Sequence, residues 1–231
     1  MRVGEYRIDV TPLVSSAGQG LNGLRITLRE PAGGATVPSL ETVHERPLHL
    51  FIVGRDLEYF AHLHPTQAAD GTFAVTPVIP AGEYVAIADF LPAGGSPQLV
   101  QRMFVSPGRP RGEPQRTVTA LGPQIAGGVR VQAVSTGLVA GRATSVRFML
   151  TGAGDGRPIL DLEPFLGAAA HLLVVSEDLT EAVHAHSGEL PRTEPALVFD
   201  LTLPRAGQYR GWLQFQRQGV VVTVPVRFTA R

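Results

Sequence analysis

The sequence predicts an all-β chain made of two antiparallel β-sandwich domains that arose by internal duplication. Three observations lead there. Residues 49–64 (HLFIVGRDLEYFAHLH) return as residues 171–186 (HLLVVSEDLTEAVHAH), at a constant offset of 171 − 49 = 122 with no gap and seven of sixteen positions identical. The 231 residues are punctuated by 26 Gly and 19 Pro, which favours many turns and short strands over long helices. Residues 106–115 (SPGRPRGEPQ) divide the chain with Pro, Gly and Arg and bury nothing, as a linker does.

The elements follow in order. Tyr6, Ile8 and Val10 alternate with polar neighbours and predict a first strand. Leu24–Leu28 predicts a second, and residues 31–34 a turn. Residues 35–47 lack a period and predict a long connection. Residues 49–64 read as a β-hairpin with arms 49–53 and 58–64 and a turn at 54–57. Strands are expected over 73–78, over the stretch that follows Pro80 as far as Phe90, and over 100–105.

The second half repeats this order. Val129–Ala133 matches the first strand with a slip of about one residue, and Arg147–Leu150 lies 122 after Arg25–Leu28. Ala206–Tyr209 repeats Ala81–Tyr84 at an offset of 125, so three residues are inserted after the hairpin. A glycine two residues before an inward tyrosine at a strand start is a feature of Ig-like sandwiches. Residues 211–216 and 220–228 complete the second sheet, and Leu162–Leu166 is a short helical-turn candidate. The expected domains are a first Ig-like sandwich over 1–106, a linker over 107–116 and a second Ig-like sandwich over 117–231.

Composition narrows the function. Twenty basic residues balance twenty acidic ones, which gives no electrostatic case for nucleic acid or an anionic membrane. No apolar run approaches the ~18–20 residues of a membrane span. The absence of cysteine excludes disulfides, thiolate metal sites and cysteine nucleophiles. The first ten residues lack the apolar stretch of a secretory signal, so an extracytoplasmic protein would carry its signal or anchor outside this sequence, and a cytoplasmic home is the other reading.

Six of the seven histidines lie in the two copies, and the seventh, His44, lies just upstream of the first. Residues two apart on a strand share a face, so His62 and His64 project together, as do His184 and His186. A turn centred between Arg55 and Asp56 gives cross-strand partners whose numbers sum to about 111, placing His49 opposite His62 and His171 opposite His184. Three imidazoles then converge in each copy. Neutral nitrogen donors suit Zn(II) or Cu(II), whereas Cu(I) favours sulfur, and Met1, Met103 and Met149 lie away from the motif. One or two ions per chain are expected. The fourth position would be water, His44 or a carboxylate such as Glu58; the second copy has Leu166 where the first has His44. Asp56 and Asp178 are expected to form turns through local backbone N–H groups, and Tyr84 and Tyr209 to be core tyrosines.

The pattern His-Leu-x2-Val-x2-Asp-Leu-x4-His-x-His resembles one in poorly characterised bacterial exported proteins and lipoproteins. Val43–Arg46 and Leu160–Gly167 resemble the same family upstream of each hairpin, and the departure is Ser187 where the first copy has Pro65. The resemblance implies a periplasmic or extracellular home and a link to heavy-metal or copper handling, and extends to the small Ig-like copper-binding sandwiches of the periplasm. A metal-transport or oxidase-assembly protein would then be the partner.

The expected function is non-enzymatic: carrying or buffering copper(II) or zinc. A rival is a structural or adhesive pair of Ig-like modules with structural histidines. A lesser rival is a zinc hydratase or hydrolase, since three histidines with an open position can activate zinc-bound water. No supporting acid or base is repeated at matching positions to serve it.

Overall fold

A computed structural model describes residues 5–14, 21–31, 34–108, 122–134 and 137–231. The chain is all-β, with no helix among the described residues. It forms two compact units, 1–117 and 118–231. Most of the expected linker, 109–116, lies outside the described residues.

The first unit holds β1 (Arg7–Val14), β2 (Leu21–Arg29), β3 (Leu40–Glu41), β4 (Leu48–Gly54), β5 (Phe60–Leu63), β6 (Thr66–Gln67), β7 (Phe73–Val75), β8 (Gly82–Pro92) and β9 (Gln98–Ser106). One sheet runs β1-β2-β7-β6; the other runs β3-β8-β4-β5, with β9 paired to β8, and every pairing is antiparallel. The second unit holds β10 (Gln124–Ala126), β11 (Val129–Val134), β12 (Thr144–Gly152), β13 (Ala170–Ser176), β14 (Ala182–Ser187), β15 (Ala196–Leu201), β16 (Gly207–Arg217) and β17 (Val220–Ala230). Its sheets run β10-β11-β12-β15 and β14-β13-β16-β17. In both units the histidine hairpin and the tyrosine strand share a sheet. Together the two units form a tandem of Ig-like sandwiches.

Several expectations change. The strand expected over 73–78 ends at Val75. The connection at 35–47 contains β3 and a tight turn at Val43–Arg46. The helical-turn candidate at 162–166 is the start of a matching reverse turn, in which Phe165 and Ala168 exchange backbone hydrogen bonds of 2.8 and 3.1 Å. Leu166 and Gly167 at its tip have φ of 50° and 69°, the left-handed conformation that a two-residue reverse turn demands and a helix cannot use. Strands β10 and β15 are further elements beyond those expected, and β15 alternates buried Leu197, Phe199 and Leu201 with exposed Val198 and Asp200.

Each core lies between its two sheets. Leu48, Leu50 and Ile52 face inward with Ile8, Leu24, Ile26, Leu28 and Phe73. Ala170, Leu172 and Val174 do the same with Val146, Phe148, Leu197, Phe199 and Leu213. Alternation sends His49, Phe51 and Val53, and His171, Leu173 and Val175, to the opposite face. These are buried too, so β4 and β13 are buried along their whole length. That explains their nearly continuous apolar runs, which are usual for strands buried on both faces.

The tyrosines fasten the same sheets. Tyr84 Oη donates to the carbonyl of Pro80 at 2.9 Å and Tyr209 Oη to that of Arg205 at 2.8 Å, each four residues upstream. This is the tyrosine corner of Ig-like sandwiches.

Candidate metal centres

Each hairpin closes on a four-residue loop. Gly54 N–H donates to Tyr59 O at 2.9 Å, and Ser176 N–H to Glu181 O at 3.0 Å. Leu57 and Leu179 take left-handed φ of 64° and 59°. Asp56 Oδ1 accepts the N–H of Glu58 at 3.0 Å, and Asp178 Oδ1 that of Thr180 at 3.2 Å, so both aspartates form the turns as expected. In the second unit Asp178 also accepts from Ser176, Thr180 and Arg205, which hold its carboxyl well below the usual range.

This loop corrects the register. Its centre lies one residue later than the sequence suggested, so cross-strand numbers sum to 50 + 63 = 113. His62 is opposite Phe51, His171 is opposite His186, and His184 is opposite Leu173. A slip of two residues keeps every side chain on its face, whereas a slip of one would have reversed them all. The convergence therefore survives the error. The second hairpin also runs on through Ser187, whereas β5 ends before Pro65, which has no N–H to donate to a ladder.

In each unit the three imidazoles meet. One ring nitrogen from each of His49, His62 and His64 lies within 4.8 Å of the others, and the same holds for His171, His184 and His186. His49 Nδ1 is 3.0 Å from His62 Nε2, and His171 Nδ1 is 3.4 Å from His184 Nε2. His49 and His171 are 3% and 1% exposed; the others are half-buried. His64 Nε2 is buried and has no hydrogen-bond partner, and His186 Nε2 is likewise buried.

The reverse turns complete the sites. His49 Nε2 is 3.0 Å from Val43 O, and His171 Nε2 is 2.9 Å from Phe165 O. A carbonyl only accepts, so each Nε2 carries the proton and each Nδ1 keeps a lone pair facing the other two histidines. This is the outer support that metal-ligating histidines need. The sequence reading missed the two carbonyls. They were findable, since Val43 and Phe165 share the 122 offset and precede their histidines by the same six residues.

Protonation favours ligation as well. His64 is lowered to about 4, chiefly by burial and then by the charges of His49 and Arg46. Burial also lowers His49, against the opposing pull of the Val43 carbonyl and Asp89. Neutral imidazoles are donors suited to Zn(II) or Cu(II).

His44 sits at the tip of the first reverse turn with φ of 49°, its ring centroid 6.4 Å from that of His49, and is not among the three converging nitrogens. Leu166 occupies its place in the second unit with φ of 50°. Glu58 stays in the hairpin loop.

Fold and sites together define a tandem Ig-like chain with one histidine triad per unit, each able in geometry to hold a metal ion. Residues 124–231 match the family described as a domain of unknown function, DUF8832. No curated protein matches the chain. Similar solved structures include the Escherichia coli adhesin FdeC, at 16% identity and TM-score 0.31, covering 100% of this chain and 65% of that one. A tetra-tandem repeat from the extending region of a large adhesion protein aligns at 12% identity and TM-score 0.31, covering 99% of this chain and 49% of that one. Domains 4 and 5 of the S-layer protein SbsC align at 13% identity and TM-score 0.27, with all of both chains covered. The chain thus spans less than two thirds of the first two.

Proposed function

We propose that the chain is a non-enzymatic protein that binds one Cu(II) or Zn(II) ion in each unit and carries or buffers it outside the cytoplasm. The observation that carries this reading is His64 Nε2. It is buried and lacks a hydrogen-bond partner, and one ring nitrogen of His64 lies within 4.8 Å of ring nitrogens of His49 and His62. A buried polar atom left unsatisfied costs about 1–3 kcal/mol, and a metal ion at the centre of the triad would satisfy it.

Spacing supports the same reading. Two donors at ~2.0–2.1 Å from a tetrahedral ion lie about 3.3 Å apart. The nitrogen pairs stand at 3.0 and 3.4 Å, so little movement is needed for capture. The extracytoplasmic home, and a metal-transport or oxidase-assembly partner, rest on the family resemblance of the hairpin motif. A non-enzymatic role fits the neighbours of the triads, because the polar groups beside them are not repeated: Asp89 pairs with His49 where Gln214 pairs with His171.

The test is elemental analysis of untagged protein after dialysis against copper or zinc. Wild type should hold two ions, and His62→Ala/His64→Ala and His184→Ala/His186→Ala should each lose one. No metal above background in folded wild type would overturn the reading and leave a pair of Ig-like modules with structural histidines.

A further inference from the structure

We propose that Asp89 makes the first triad the tighter dication site of the two, so that the chain carries one retaining site and one releasing site. This rests on the metal-binding reading above and adds a specificity-determining residue to it.

The strand beside each hairpin differs at one position. On β8, Asp89 is the direct cross-strand partner of His49; on β16, the partner of His171 is Gln214. Directly opposed residues share a face, with Cβ atoms roughly 4.5–5.5 Å apart. Asp89 and His49 also line one pocket of ≈ 50 Å³, together with His44 and Arg46. Gln214 is neutral, and its Nε2 donates to Thr223 Oγ1 at 2.9 Å. Asp89 faces Leu99 at the matching place.

Charge then separates the sites. Three neutral imidazoles leave a bound dication at +2; a neighbouring carboxylate brings the local sum to +1. Arg46 works against this, but it is exposed and screened by solvent, while Asp89 is half-buried. The second unit has Ala168 in place of Arg46 and Leu166 in place of His44, so neither of those groups has a counterpart there. Attraction between a dication and a carboxylate roughly 7 Å apart favours binding by about sevenfold at the dielectric of water, and by more at the lower dielectric of a half-buried site.

The experiment is a Zn(II) competition titration against a chromophoric chelator, on full-length chains that keep one triad each. His184→Ala/His186→Ala retains the first triad and His62→Ala/His64→Ala the second, with circular dichroism to confirm the fold. The first triad should bind Zn(II) about sevenfold tighter or more. Asp89→Asn should remove that advantage, and Gln214→Asp should strengthen the second triad. Equal affinities, or an advantage that survives Asp89→Asn, overturn the proposal while leaving the metal sites in place. A gap closed by His44→Ala but not by Asp89→Asn assigns it to His44 and also overturns it. Folded chains that bind no Zn(II) at either triad overturn the metal reading itself, and this proposal with it.

Discussion

His171 Nε2 stands 2.9 Å from the carbonyl oxygen of Phe165, as His49 Nε2 stands 3.0 Å from that of Val43. One ring nitrogen is thus committed to the backbone in both units, and the tautomer is set before any ion arrives. The reverse turn six residues upstream belongs to the site as much as the hairpin does. At the turn's second tip position the two units differ: Glu45 at φ 65° and Gly167 at φ 69°.

That difference has a measurable consequence. A left-handed residue other than glycine costs about 1–2 kcal/mol. Gly167→Ala should destabilise the second unit by about that amount, and Glu45→Gly should not destabilise the first. Urea denaturation followed by the fluorescence of Trp212, the only tryptophan, reads the second unit directly.

Trp212 also reports on its metal site. Leu173 lies between His184 and Trp212 in the sheet, one strand from each, which puts Trp212 about 10 Å from the triad. Paramagnetic Cu(II) should quench its emission and Zn(II) should not. His184→Ala/His186→Ala should abolish the quenching and His62→Ala/His64→Ala should leave it. Quenching that ignores the second triad would count against a site there.

Acid should weaken the metal-free protein. His64 titrates near 6.5 when unfolded and at about 4 when folded. Between those values the unfolded chain binds more protons, so stability falls as pH drops from about 6.5 towards 4 and levels off below. Burial lowers His49 in the same direction. Thermal melting of the apo protein across this range should show the decline, and His64→Gln should shrink it.

The tyrosine corners should contribute equally to both units. Tyr209→Phe removes the 2.8 Å bond to the Arg205 carbonyl and should cost about 1 kcal/mol. Tyr84→Phe should do the same through Pro80. Unchanged urea midpoints would mean that water replaces the hydroxyl without loss.

A methyl group is tolerated in one unit and not in the other. Gly211 occupies the place that Ala86 holds in the first unit, at the offset of 125. A Cβ there would meet Phe228 and Val226 at 2.9 Å and the Leu173 carbonyl at 3.2 Å. Gly211→Ala should therefore destabilise the second unit by about 1–3 kcal/mol by overpacking, again read by Trp212.

The sequence by itself determined the duplication, the all-β class and the identity of the six histidines that meet. Side-chain alternation along a strand has a fixed period of two, so the shared face follows from numbering alone, and it survived a register error of two residues. Tertiary structure decided the rest. Leu57 and Leu179 take a left-handed conformation that their residue type does not advertise, and that moved the turn by one residue. The carbonyls of Val43 and Phe165 are brought to their histidines by reverse turns six residues upstream, and the pairing of Asp89 with His49 joins segments distant in sequence. Backbone oxygens carry no sequence signature, and which strand lies beside β4 is settled only when the sandwich closes around its core.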